Sequence, residues 1–360
     1  MLRLNNISLL QFKNYMVSQF QFTDRIVGIC GKNGIGKTNL LDAIYYTCFT
    51  KSYFIKTDAQ NVRLGMQGFR IEADYTKGNR ADKVLCIVRE NGKKEILLNE
   101  SPYSKFSEHI GKFPCVMIAP DDIQMITNGS EERRRFLDAL ISQVDHGYLL
   151  QLISYNKILQ QRNSLLKQFS DTGKTNYNLL DVMNEQLARP GNRIYETRKK
   201  ILQEFIPLVR TLYAQISGES YDVQVEYESQ LHHSSYETLL FQFAERDLIL
   251  QRTSAGIHKD DLAITLNGNV FKSMASQGQK KSLLFACKLA EFEYLKKANG
   301  FAPMLLLDDV FEKLDEYRMN NLLQSVCVQN DGQIFITDTH CERLHDHLQQ
   351  LAHPFQLIRL

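Results

Sequence analysis

The chain has no C-x-x-C pair, its seven cysteines standing apart at 30, 48, 86, 115, 287, 327 and 341. Neither a zinc site nor a disulfide framework is therefore expected, and cysteines inside apolar runs read as small hydrophobes. No apolar run reaches membrane length, and the first residues, MLRLNNISLLQF, alternate without a cleavable apolar segment. These absences predict a cytoplasmic chain with no membrane role. Net charge is also nearly absent, 43 basic residues against 41 acidic giving +2, so a nucleic-acid surface must be a local patch. Sustained heptads are missing, which excludes a long coiled-coil arm. What is present, 360 residues with 43% hydrophobic content, suffices for one large core or two moderate ones.

The most informative stretch is GKNGIGKT: Gly31, Lys32, Asn33, Gly34, Ile35, Gly36, Lys37 and Thr38 fit G-x-x-x-x-G-K-T without mismatch. An apolar run, 25–30, leads into it and a helix-patterned run, 39–49, follows, which is the context the motif requires. Backbone N–H groups and a helix N-terminus converging on one spot bind an anion. Lys37 would neutralise the β and γ phosphates of ATP, and the Thr38 hydroxyl would take a place on Mg²⁺.

Around that loop, 1–30 reads as strands with an antiparallel start. The stretches 69–75, 83–89 and 95–98 read as a meander, and 113–119 as a buried strand stopped by Pro120. From about residue 130 the pattern becomes amphipathic helix with little strand signal. Pro190-Gly191 is expected to break this helical insertion, and Pro207 to kink or end a helix. Strand alternation returns at 221–227, and a helix is expected from 235 to 246. The division that follows is 1–125, head; 126–220, helical arm; 221–360, remainder of the head.

Met304 to Asp309, MLLLDD, is an apolar run ending in two carboxylates. At the C-terminal end of a buried parallel strand they would face the phosphate loop. Asp308 would hold Mg²⁺, and Asp309 would orient or deprotonate the attacking water. Upstream, Ser276, Gln277, Gly278 and Gln279 open an amphipathic helix; S-x-x-Q is equally a helix capping box.

The order of phosphate loop, long insertion, S-x-G-Q, helix and apolar strand ending in Asp-Asp resembles the ATP-binding-cassette heads of SMC and DNA-repair proteins. Within that class FKNY at 12–15, RRRFLD at 133–138, RNSLLK at 162–167, NEQLA at 184–188, HKDDL at 258–262 and LLLDDVFEKLDEYR at 305–318 resemble the RecF family nearly end to end. The resemblance implies an α/β fold, an ABC-type P-loop ATPase head of mixed sheet and helices plus an inserted, mainly helical arm. It implies an ATP-dependent homodimer in which Ser276–Gln279 of one copy caps the γ-phosphate held by the other. It also implies binding at single-strand/duplex DNA junctions or gaps, RecO- and RecR-type partners, support of recombinase loading and a part in the SOS response. By the same resemblance Asp315 belongs to a loop reaching across the dimer, His340 lies near a γ-phosphate-sensing position, and Lys13 and Asn14 approach the nucleotide. Ile257 stands where the family usually has proline, and Pro190 interrupts the helix after NEQLA. Asp309, one methylene shorter than the usual glutamate, predicts slow hydrolysis, with turnover below roughly 10 per second.

Candidate DNA contacts are Arg133, Arg134 and Arg135, then Lys51, Lys56 and Arg63, with Lys280 and Lys281 a third cluster. Phosphate contacts of this kind give sequence-independent, salt-sensitive binding. A transporter-energising subunit would carry S-x-G-Q much closer to the phosphate loop. A P-loop kinase would leave SQGQ and the Asp315 region unexplained.

Overall fold

The computed structural model describes all residues except 219–222, 311–318, 320, 322 and 329. In chain order, strands β1 (Leu2–Phe12), β2 (Tyr15–Gln21) and β3 (Ile26–Cys30) precede helix α1 (Lys37–Phe49). Next come β4 (Phe69–Lys77), β5 (Arg80–Val88), β6 (Lys94–Leu98), β7 (Ser101–Pro102) and β8 (Cys115–Ile118). Helices α2 (Gln124–Thr127), α3 (Ser130–Val144), α4 (His146–Thr172) and α5 (Tyr177–Ser217) follow. After β9 (Val223–Glu228) come α6 (Tyr236–Gln242), α7 (Ala244–Leu250), β10 (Asp261–Leu266), β11 (Asn269–Val270), α8 (Phe271–Met274) and α9 (Gln277–Asn299). The chain closes with β12 (Met304–Leu307), β13 (Ile334–Asp338), α10 (Cys341–Gln350) and β14 (Phe355–Arg359).

The chain divides into two compact units, the first being Met1–Ile123, Leu212–Glu219 and Gln277–Leu360. Two sheets build it: an antiparallel one ordered β2-β1-β4-β5-β6-β7 and a parallel one ordered β14-β3-β13-β12-β8. The sequence pattern dictates which is which. In β1 and β4 apolar residues alternate with polar ones, whereas IVGIC, MLLL and IFITD are buried at every position. Runs without a polar face are the mark of strands covered on both sides. Helix α1 belongs to the same core, eleven of its thirteen residues being buried, alongside β1, β4, Met304, Leu306 and Phe335. Because β3, β13 and β12 are parallel neighbours, their C-terminal ends open on one edge, where open α/β sheets place their ligands.

The second unit is Gln124–Thr211 with Ser220–Ser276. The sequence division ends the arm at 220; the structure groups the small antiparallel sheet β11-β10-β9 with the helices, since Arg133 of α3 forks onto Asp261 at the start of β10. Helix α5 corrects another expectation: it runs 41 residues with Pro190 and Pro207 inside it. A helix-interior proline costs about 3 kcal/mol. Burial of Leu187, Ala188, Ile194 and Tyr195 on both sides of Pro190 outweighs that cost. Gly191 serves packing rather than breakage, because a Cβ there would come within 2.4 Å of the Tyr236 ring. The helix expected at 235–246 divides at Phe243 into α6 and α7.

Two arginines are fully buried in this unit and both are neutralised in place. Arg162 Nη1 donates to Asp247 at 2.7 Å and to Thr253 Oγ1 at 2.8 Å. Arg198 bonds Asp260 at 2.8 Å, Asp138 at 2.7 Å and the Ile257 carbonyl at 2.9 Å. The RNSLLK and HKDD motifs thus supply the polar core of this unit.

Candidate nucleotide site

The phosphate loop follows β3 directly and needs its glycines for backbone shape. Gly34 and Gly36 have φ of 78° and 126°, where an L side chain is strained, and a Cβ on Gly36 would also meet Asn14 Nδ2 at 2.7 Å and Tyr15 Oη at 2.8 Å. The β1–β2 hairpin grips the loop from one side: Asn14 Nδ2 donates to the Ile35 carbonyl at 2.7 Å and Tyr15 Oη to the Gly36 carbonyl at 3.0 Å. Asn39 fixes Asn14 in turn, at 2.8 Å. Lys13 turns elsewhere, pairing with buried Asp42 of α1 at 2.5 Å. Of the two FKNY residues expected near the nucleotide, Asn14 therefore touches the loop and Lys13 braces the helix behind it.

Lys37, the first residue of α1, is buried and donates to the Gly31 carbonyl at 2.8 Å and the Lys32 carbonyl at 3.3 Å. Its ammonium is thereby held over the mouth of the loop. Thr38 Oγ1 lies 3.0 Å from both carboxylate oxygens of Asp308, which follows β12. Asp308 is buried, its other partner is the Thr337 hydroxyl at 2.8 Å, and among the described residues it forms no ion pair. Burial raises its pKa to about 6, with the Asp309 charge pushing the same way and bonds from Thr337 and Thr38 and the Lys37 charge opposing. A buried carboxylate whose hydrogen bonds among the described side chains come from hydroxyls is costly by itself. The donor set, a threonine hydroxyl beside a carboxylate, consists of hard oxygen ligands and fits a divalent cation such as Mg²⁺.

Asp309 stands in the left-handed region at φ 45°, and its N–H donates to Thr337 Oγ1 at 2.9 Å. Strained non-glycine residues cost on the order of 1–3 kcal/mol and cluster at functional sites. Thr337 holds both carboxylate residues at once, and sequence reasoning passed over it: the signal, a hydroxyl near the end of the strand beside β12, drew attention only to His340. Gly31 N–H bonds the Asp338 carbonyl at 3.3 Å, so the end of β13 abuts the start of the phosphate loop. His340 follows two residues later, exposed at the N-cap of α10. Asp338 is tied to Arg343, which holds its carboxyl below the usual range against the opposing effect of burial.

The absence of a local cysteine motif hid one contact. Cys30 and Cys341 are joined as a disulfide, with Cα atoms 5.1 Å apart, because parallel pairing brings the end of β3 beside the residue that opens α10. The other five cysteines are buried thiols, as their apolar settings suggested.

Ser276 and Gln277 are exposed where α9 begins. Gln277 and Lys281, one turn apart, line a cavity of about 280 Å³ together with Pro120, Ile123 and Asp308. Asp315 lies outside the described residues. Of the basic candidates, Arg133 forks onto Asp261 at 2.6 and 2.9 Å, Arg134 donates to the Asp260 carbonyl at 2.6 Å, and Arg135 pairs with Glu131 and Glu132 of its own helix. Arg63 donates to the Asn14 carbonyl, Lys51 and Lys56 are exposed, and Lys280 is half-buried like Lys281.

A family model described as the RecF/RecN/SMC N terminal domain matches residues 3–356. The chain is 43% identical over 359 residues to the DNA replication and repair protein RecF of Flavobacterium johnsoniae, covering all of both chains. The chain belongs to the RecF family. A RecF of Parabacteroides distasonis is 41% identical, with 99% of this chain and 97% of that one covered. Among solved structures, the recombination mediator protein RecF-ATPrS in the RecFOR pathway superposes with a TM-score of 0.87 at 30% identity, covering 94% of this chain and 93% of that one. The Smc head domain of Pyrococcus furiosus shares the fold at a TM-score of 0.56 and 14% identity. RecF membership accounts for the α/β head with its inserted helical segment. Among the described residues no helix is long and apolar enough to cross a membrane.

Proposed function

We propose that this chain is an ATP-switched recombination mediator of DNA repair and replication, working in the cytoplasm. It binds single-strand/duplex junctions or gaps without sequence preference, dimerises on ATP and hydrolyses it slowly. The observation that carries this reading is the convergence of Lys37, Thr38 and the buried carboxylate of Asp308, which forms no ion pair among the described residues, at one sheet edge. The solved RecF-ATP structure, a relative at 30% identity, supports ATP as the ligand.

Gly31–Thr38 would hold the phosphates, with Lys37 Nζ leaving the loop carbonyls to meet them. Thr38 and Asp308 would hold Mg²⁺, whose chemistry there is to neutralise charge developing on the phosphate oxygens. Asp309 would position the attacking water, and its short side chain together with its strained backbone favours slow turnover. Ser276–Gln279, of which Ser276 and Gln277 are exposed, would serve the nucleotide of a second copy, and by the family resemblance Asp315 and His340 would act at the same junction. The RecFOR context of the similar structures supports RecO- and RecR-type partners.

Sedimentation of the full chain with and without ATP, Mg²⁺ and gapped duplex tests the reading. A shift from monomer to dimer with ATP and Mg²⁺, and a further shift with DNA, is expected. An unchanged monomer mass sinks the shared-site mechanism, and absence of any DNA complex at low salt sinks the ligand class.

A further inference from the structure

Three cations in the second unit lack a carboxylate partner among the described residues while the arginines around them are engaged; of the three, Arg246 lies over the Phe243 ring at 5.7 Å. Arg246 on α7, Arg252 just after it and Lys259 in the HKDD motif are exposed, and among the described residues none of them forms an ion pair. A rigid frame brings their three segments together. Arg252 N–H bonds the Asp247 carbonyl at 3.2 Å, next to Arg246. His258 Nε2 meets the Thr253 carbonyl at 3.0 Å, which ties the segment before Lys259 to the one after Arg252. Arg134 reaches the Asp260 carbonyl at 2.6 Å, closing the group from α3.

Two of the carboxylates beside them, Asp247 and Asp260, face inward and are already used, while Glu245 on α7 is exposed. Asp247 is fully buried on Arg162 and Ser254, and Asp260 is buried on Arg198 and Tyr227. Burial, then the charges of Arg252, Arg134 and Arg246, hold the Lys259 ammonium below its usual pKa range. Like charges held this close form a standing positive potential that a polyanion relieves.

We infer that Arg246, Arg252 and Lys259, backed by Arg134, form a binding surface for the phosphodiester backbone of nucleic acid, separate from the nucleotide site. This surface rests on the DNA-binding reading above. Cations spread over separate segments suit a backbone that offers one charge per roughly 1.7 Å of duplex, and they confer no base selectivity.

The test is binding of gapped duplex to the full chain with ATP across a salt series, for wild type and for Arg246→Gln/Arg252→Gln/Lys259→Gln. An unchanged far-ultraviolet circular dichroism spectrum and urea midpoint certify the fold of the variant, and Arg252→Gln alone provides a milder change. The slope of log affinity against log salt is expected to flatten by about 2 to 3 in the triple variant and about 1 in the single one. Arg246→Lys/Arg252→Lys/Lys259→Arg, which keeps the charge, is expected to restore the slope, and Arg189→Gln, at an exposed arginine paired with Glu185 on α5, to leave it unaltered. DNA binding by wild type with the same slope in the triple variant overturns this surface and leaves the functional reading standing. No DNA binding by wild type overturns both. A triple variant that loses affinity for poly-glutamate while keeping its DNA slope marks a site for acidic peptide and also overturns the inference.

Discussion

The nucleotide site and the polar core of the second unit treat buried charge in opposite ways. In the second unit each buried arginine meets its carboxylates inside the same unit, Arg162 on Asp247 and Arg198 on Asp138 and Asp260. At the nucleotide site Asp308 is buried against two hydroxyls and forms no ion pair among the described residues. A closed network holds a fold together, whereas an open charge is completed by a ligand. The difference separates residues whose loss unfolds the protein from those whose loss silences it.

The largest expected effect breaks the closed side. Arg198→Ala leaves Asp260 and Asp138 without their cation and is expected to destabilise by about 3–5 kcal/mol. Urea unfolding followed by circular dichroism measures it, and a loss below about 1 kcal/mol would show that the network is not a structural element.

A case between the two extremes lies in the first unit. Lys288 has two carboxylates within reach, Asp122 at 3.6 Å and Glu291 at 3.9 Å. Burial raises the Glu291 pKa to about 7, Asp122 adding to the shift and Lys288 opposing it. A carboxyl raised on folding leaves the native state holding more protons than the unfolded chain between about 4.5 and 7, so stability falls as pH rises through that window. Glu291→Gln should remove the penalty and raise stability on the order of 2 kcal/mol at pH 8, with the gain vanishing by pH 4. Melting temperatures across pH follow it, and a gain independent of pH would assign the effect to packing.

Smaller again is the expected effect of Thr337→Val, which keeps shape but removes the hydroxyl bridging Asp308 and the Asp309 N–H. Hydrolysis should slow by roughly tenfold, about 1.4 kcal/mol, with ATP affinity little changed. Equal losses in binding and turnover would place Thr337 in ligand affinity rather than in carboxylate positioning. The least perturbing check counts thiols in the unfolded chain: five without reductant, with Cys30 and Cys341 paired, and seven with it. Seven in both cases would remove the cystine from the account.

The same contrast explains what was legible in the sequence. GKNGIGKT and MLLLDD are contiguous, and their chemistry requires a particular flanking context, so the parallel sheet could be inferred with them. Tyr15, Asn39, Thr337 and the Cys30–Cys341 pair act through strand neighbourhood, and no local pattern encodes which strand ends lie side by side. The arginine run at 133–135 reads as one cluster in the sequence, but its members are engaged differently: Arg133 by Asp261 and Arg134 by the Asp260 carbonyl, both far along the chain, and Arg135 by Glu131 and Glu132 of its own helix. Local propensity likewise argued against a helix through Pro190, where distant burial decides.

Asp308 is the point on which the account turns, and the dependence of ATP affinity on Mg²⁺, measured by calorimetry for wild type and Asp308→Asn, tests it most directly. Wild-type affinity is expected to rise at least about tenfold, roughly 1.4 kcal/mol, on adding Mg²⁺, and the variant to show no such gain. An equal gain in both would contradict the assignment of the open carboxylate to the cation.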